Sequence, residues 1–232
     1  MAVVTVHGTL GSGARDVARI VAERLRLDYV DHELIVSLSQ RMGLSVEAVE
    51  EHDERAAGFA ERLAAYFRAF LERSAAAGPT DPFLGPSGLE PLITRTYAEA
   101  AQPEDEFDQR AYVRAITDLI VGLAGGSNII IVGRASQIVL RDFPGAAHAL
   151  IVAPRSLRVE RVAAAEGLAP DAAEKRVRQA EQDRDLFYRR LFKVNAADPC
   201  LYDVICNTGR LSYEAAAEAT IAAASSHQPR PG

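Results

Sequence analysis

An α/β fold, with a parallel sheet layered between helices on both faces, is what this sequence predicts, and three observations predict it. First, the β-branched run Val3, Val4 and Val6 stops at a turn holding Gly8, Gly11 and Gly13, and from Asp16 on Val17, Ile20, Val21 and Leu25 recur at helix spacing. Second, 129–132 and 148–152 read as apolar strands of the kind that occupy the centre of a sheet covered on both sides. Third, helical periodicity separates and follows these strands, over about 109–124, 170–194 and 213–224.

Length and composition fit one such domain with an insertion. The chain has 232 residues, 48% of them hydrophobic and 25% charged, enough for a substantial core. A net charge of −6 argues against non-specific binding of nucleic acid, so its arginines have to be read locally. Cys200 and Cys206 show no metal-ligand or redox spacing, which suits a reducing cytoplasm, and no apolar run approaches membrane-spanning length. No membrane or nucleic-acid partner is expected.

The elements follow in order. After the first helix, LRLDYVDHELI predicts a short strand around Tyr29–Val30 with Asp31 at its C-terminal end. Asp31 serves equally well as the cap of a helix starting near Glu33. Residues 33–41 and 46–74 read as helices, the second bearing the stripe Phe59, Leu63, Tyr66, Phe67, Phe70 and Leu71, which suits core or a dimer surface. Residues 78–91 hold four prolines and three glycines, the composition of an exposed loop. These features predict a core of 1–42 and 111–224, a helical and flexible insertion over 43–110, and a disordered tail over 225–232. Within the core, LYDVICN makes a closing strand, Thr208–Ser212 a turn, and 213–224 an alanine-rich helix.

The chemistry concentrates at the glycine turn. A strand, a glycine loop and a helix N-terminus bring amide donors and the positive end of a helix dipole to one point, where a phosphate finds both. Gly8 and Gly13 have the spacing of the G-x-x-x-x-G-K-[ST] loop, but Ala14 stands where the lysine belongs, and Arg15 is the cation next to it. An arginine grips phosphate oxygens in bidentate fashion from a shifted position. The alternative is a strand-to-helix turn that binds nothing. Arg134 follows one apolar strand, Arg155 and Arg158 follow the other, and all three fall at the sheet edge of the glycine loop. Residues 170–194 form a helical segment, or two with a break, whose end is dense in positive charge and precedes the hinge-like NAADP, as a closing lid requires.

Six stretches then carry a resemblance: GSGARDVA at 11–18, LDYVDHELI at 27–35, IIIVGRASQIVLRDFP at 129–144, APRSLRVERV at 153–162, EQDRDLFYRR at 181–190 and YDVICNTGRLS at 202–212. In order and spacing they resemble the cytidylate kinase-like branch of the P-loop nucleoside monophosphate kinases. That resemblance implies a three-layer P-loop kinase-like sheet with a helical lid and ATP-dependent phosphoryl transfer to CMP or dCMP, with Mg2+ accompanying ATP. It implies that Gly8, Gly11, Ser12, Gly13, Ala14 and Arg15 cradle the donor phosphates and that Asp31 and Arg134 face the acceptor. It further implies that Arg158 packs on the donor base, that Arg184 and Arg189 reach the phosphates from the lid, and that Asp185 touches the acceptor.

Two departures touch the donor phosphates: Ala14 replaces the loop lysine, and Val132 stands where true cytidylate kinases place an acid before the Gly-Arg pair. The branch itself carries a G-S-G-G-R type loop, which Gly11–Arg15 nearly reproduces. Two further readings therefore stay open. One is a nucleotide-binding regulator that forms no ADP, its lid a ligand-sensitive switch. The other is an interaction scaffold without nucleotide affinity, dimerising through the aromatic stripe of 59–71.

Overall fold

The computed structural model describes residues 2–32, 96–100, 106–126 and 128–226. Five parallel strands, β1 (Val3–Gly8), β2 (Asp28–Val30), β3 (Ile129–Val132), β4 (Ala146–Val152) and β5 (Val204–Asn207), form one sheet in the order β2-β3-β1-β4-β5. The register pairs Val4 with Ile130 on one side and with Ala147 on the other, so the first strand is central. Having helices on both faces, the sheet buries successive side chains in opposite directions. Val4, Val6, Ile130, Ala149 and Ile151 pack under α1 (Ala14–Leu25) and α7 (Tyr213–Ser225). Val3, Ile129 and Ile131 pack under α3 (Glu106–Gly126) and α4 (Ser136–Val139), together with Phe187 and Tyr188.

Three more elements frame the loop edge. The single turn α2 (Tyr97–Ala100) starts with a reciprocal cap: Thr96 Oγ1 accepts from the Glu99 amide and Glu99 Oε2 accepts from the Thr96 amide. α5 (Arg155–Glu166) and α6 (Pro170–Phe187) pack on each other through Val162, Ala173 and Val177. The break expected within 170–194 falls at Phe187, where α6 passes into a π-turn over Tyr188–Phe192 that ends at Lys193 in the left-handed region. π-turns of this kind collect at functional sites.

The strands and helices expected from the sequence occur within a few residues of their expected bounds, the closing strand being shorter, Val204–Asn207 rather than 201–207. The helices at 33–41 and 46–74, the aromatic stripe and the loop at 78–91 lie outside the described residues, as does the expected tail from 227 on, whereas Ser225, expected in that tail, is the last residue of α7 and Ser226 caps it.

Candidate active site

The glycine turn after β1 is shaped by close approach. Gly11 and Gly13 both sit at φ +79°, a region that penalises any side chain, and a Cβ on Gly11 would stand 2.6 Å from the Arg158 carbonyl oxygen. On Gly13 it would stand 2.4 Å from the Tyr213 ring. The turn is held from behind by residues that the sequence reading did not single out. Arg161 Nη1 donates to the Gly11 carbonyl (3.2 Å) and to Thr208 Oγ1 (2.9 Å), while its Nη2 donates to the Thr208 carbonyl (3.0 Å). Its guanidinium lies over the Tyr213 ring, and Thr208 Oγ1 donates to the Ser12 carbonyl at 2.6 Å. With their carbonyls engaged on the inner side, the amides of Gly11, Gly13 and Ala14 meet no acceptor among the described residues. They stand at the N-terminus of α1, the arrangement that receives an anion. Ser12 is fully buried and its Oγ has no partner among the described residues.

Beside the turn, Arg15 Nε lies 3.8 Å from Asp31 Oδ2, and Tyr29 donates to the same oxygen at 3.0 Å. Burial, and after it the Asp31 charge, pushes the Tyr29 phenol well up. Asp31 directly follows β2 at the loop edge, where it meets Arg15 and Tyr29.

Arg134 is the most unusual charge in the molecule. It follows β3 within a run of positive φ, 77°, 57° and 58° at Gly133, Arg134 and Ala135, which costs non-glycine residues about 1–2 kcal/mol each. Two tyrosine hydroxyls hold the run: Tyr97 accepts from the Arg134 amide (3.0 Å) and Tyr188 from the Ala135 amide (3.2 Å). The guanidinium is 2% exposed, donates to Tyr112 Oη at 3.1 Å and lies over the Tyr97 ring at 5.7 Å. It meets no carboxylate among the described residues, and burial pulls it down from its ordinary value to about 9. A guanidinium keeps its proton in any ordinary buffer, so that shift measures the cost of burying an uncompensated cation.

Two more arginine charges reach the same place. Arg184, on α6, and Arg15 both lie near enough to Tyr97 to favour its phenolate, although burial outweighs them and raises the phenol overall. Arg184 Nη2 pairs with Asp185 Oδ1 at 3.3 Å, while its Nε is buried without an acceptor among the described residues. Burial, helped by the Arg184 charge, drives His7 down to about 3, so the imidazole next to Gly8 is neutral. Its Nδ1 lies 3.2 Å from Tyr188 Oη, and its ring stacks with that of Tyr202.

The structure thus places Arg134 against Tyr97, within the electrostatic reach of Arg15 and Arg184, with Asp31 on Arg15 and Asp185 on Arg184. Arg158 stands apart from them. Its backbone touches the loop at Gly11, but its side chain turns to the lid: Nε donates to the Ala153 carbonyl (3.0 Å) and Nη2 to Glu181 (2.6 Å), leaving Nη1 buried and unpartnered among the described residues. Glu181 also receives Arg155 at 2.5 Å. Burial pushes the Glu181 carboxyl up, but the hydrogen bonds from Arg155 and Arg158 outweigh it and hold the carboxyl low. Arg189 lies exposed on the π-turn and forms no ion pair among the described residues.

With this geometry in hand, the chain can be set beside known proteins. The model of the cytidylate kinase-like family matches residues 3–210. The chain belongs to the cytidylate kinase-like family. This family member is 24% identical over 213 residues to the cytidylate kinase of Pyrococcus horikoshii, a match covering 91% of this chain and 82% of that one. It is also 30% identical over 97 residues to the uronate isomerase of Corynebacterium glutamicum, where the match spans only 42% of this chain and 18% of the other. Among solved structures, an uncharacterised protein from Eubacterium ventriosum superposes with a TM-score of 0.64 at 14% identity, covering 98% of this chain and 100% of that one. The fold is the expected three-layer P-loop kinase-like sheet, and family and fold together place this cytidylate kinase-like chain among nucleotide kinases. No described helix is long and apolar enough to cross a membrane.

Kinases of this family generally use ATP with Mg2+. Magnesium takes hard oxygen ligands, and a P-loop site supplies them from the hydroxyl after the loop lysine and from a strand-end acid. Here those positions hold Arg15 and, at the end of β3, Val132, and no cluster of three acidic, histidine or cysteine residues occurs among the described residues. This donor set does not fit a magnesium held by the protein.

Proposed function

We propose that this chain transfers a phosphoryl group from ATP to a pyrimidine nucleoside monophosphate, CMP or dCMP foremost. The observation that carries the reading is the Arg134 guanidinium, buried with only tyrosines for company and flanked at Tyr97 by the charges of Arg15 and Arg184. A protein tolerates a desolvated cation of this kind where an anion arrives to meet it.

The roles follow from position. The loop of Gly8, Gly11, Ser12, Gly13, Ala14 and Arg15 takes the donor phosphates, chiefly through the open amides of Gly11, Gly13 and Ala14, and Arg158 lies on the donor-base side. Arg134, Asp31 and Asp185 face the acceptor, and Arg184 and Arg189 act from a lid of 170–194. An acceptor phosphate oxygen bonds to the γ-phosphorus as the bond to the β–γ bridging oxygen breaks, and ADP leaves with that electron pair. Positioning and neutralisation of spread charge do the catalytic work, and no covalent enzyme intermediate enters. Magnesium is expected with ATP as a companion of the nucleotide, and no step is assigned to it. Residues 1–42 and 111–224 serve as the core and 43–110 as the monophosphate-side insertion, in a cytoplasmic protein.

A second reading is favoured by Ala14 and Val132: a nucleotide-binding protein that has lost turnover, since each missing transition-state donor costs about 10²–10³ in rate. An ADP-release assay with ATP, magnesium and each monophosphate in turn separates them. Turnover with CMP or dCMP that is lost in Arg15→Ala and Arg134→Ala supports the kinase. Nucleotide binding without ADP supports the second reading, and no nucleotide affinity at all leaves the interaction scaffold.

A further inference from the structure

We infer that the phosphate site of this chain carries its countercharge on arginine side chains and binds an inorganic or nucleoside triphosphate without any divalent cation. The inference rests on the phosphate-binding part of the proposed function, though not on turnover. Three observations converge on it. The positions that serve magnesium in a P-loop are held by Arg15 and Val132, one a cation and the other apolar. Two guanidinium N–H groups, Arg184 Nε and Arg158 Nη1, stand buried and unanswered among the described residues, the second on a residue whose backbone packs against Gly11, while Arg134 has only neutral tyrosine partners. The carboxylate beside the loop, Asp31, is already engaged by Arg15 and Tyr29 and is therefore poorly placed to take a metal.

Such a site reverses the usual effect of magnesium. A metal on the triphosphate cancels two of the negative charges that the guanidinium groups attract, and it interposes strongly held water where N–H donors need bare oxygen. Free triphosphate therefore binds at least as tightly as its magnesium complex. Because the donors are buried, the preference holds at physiological salt, where an exposed patch would be screened.

The test is calorimetric titration of the full chain with inorganic tripolyphosphate at constant ionic strength, in EDTA and then in excess Mg2+. The expected result is binding in EDTA, weakened about threefold or more by Mg2+, with Arg134→Met and Arg184→Gln each losing about tenfold in EDTA. Arg184→Gln covers the case in which the first variant fails to fold. Binding that appears only with Mg2+ overturns the inference, as does affinity in EDTA that neither variant changes. The assay is independent of turnover: tripolyphosphate bound in EDTA by a chain that forms no ADP sinks the kinase reading alone, whereas CMP phosphorylation accompanied by strictly Mg2+-dependent binding sinks this one alone.

Discussion

Replacing Arg134 by methionine separates a structural arginine from one kept for a ligand. The side chain keeps its length and loses its charge. In the free protein burial pulls the guanidinium down from its ordinary value to about 9, which corresponds to about 4–5 kcal/mol at about 1.4 kcal/mol per unit. For a base whose folded value is depressed, this penalty is present in full below pH 9 and is relieved only as pH rises above it. Against it stand the Tyr112 hydrogen bond and the contact with the Tyr97 ring, about 1 kcal/mol each. Arg134→Met therefore stabilises the ligand-free chain by about 2 kcal/mol at pH 7, and at about 2–4 °C per kcal/mol raises Tm by about 4–8 °C. Ligand works the other way. Tripolyphosphate at a hundred times the parent's Kd adds about 2.7 kcal/mol to the parent and, with affinity tenfold weaker, only about 1.4 kcal/mol to the variant. Differential scanning calorimetry with and without the anion reads both effects. A variant that melts lower than the parent, yet gains as much from the anion as the parent does, would show that Arg134 is there for packing, and the argument for the site would fail.

Other positions make separate demands. Arg161→Lys keeps the charge but cannot serve Gly11 and Thr208 together, so it loses about 1–3 kcal/mol in urea unfolding and weakens anion binding as much as Arg161→Ala does. Gly11→Ala places a methyl 2.6 Å from the Arg158 carbonyl at φ +79° and costs at least about 2 kcal/mol, seen as a lowered Tm with anion protection lost. His7, held to about 3 by burial and by Arg184, stays neutral in the fold while the unfolded chain takes a proton below about 6.5. Its contribution is thus present above pH 6.5 and lost as pH falls towards 3, about 4–5 kcal/mol in full, and the urea midpoint of His7→Gln is correspondingly flatter across that range.

The sequence was most legible where structure is local. Strand, glycine loop and helix are consecutive, so Gly8, Gly11 and Gly13 announced the turn, and apolar runs announced β3 and β4. Arginines at strand ends were legible because a parallel sheet sends all its C-terminal ends to one edge. The supports were not, because they come from far along the chain. Tyr97 is 37 residues from Arg134, and Tyr188 is 53 from Ala135, distances at which no periodicity speaks. Two local signals did exist. Thr96 and Glu99 have the spacing of a capping box and mark the start of α2, and Arg161 continues the three-residue spacing of Arg155 and Arg158 on one helix. Whether a guanidinium opens to the site or folds back, as that of Arg158 does onto Glu181, is a matter of rotamers that spacing leaves undetermined.

The bridge from Arg161 and Thr208 to the opening turn also sets an order of events. The threonine that fixes the turn is made almost two hundred residues after it. During synthesis the turn is therefore first a pliable glycine segment with little hold on nucleotides. Its affinity should appear abruptly once residue 208 clears the exit tunnel.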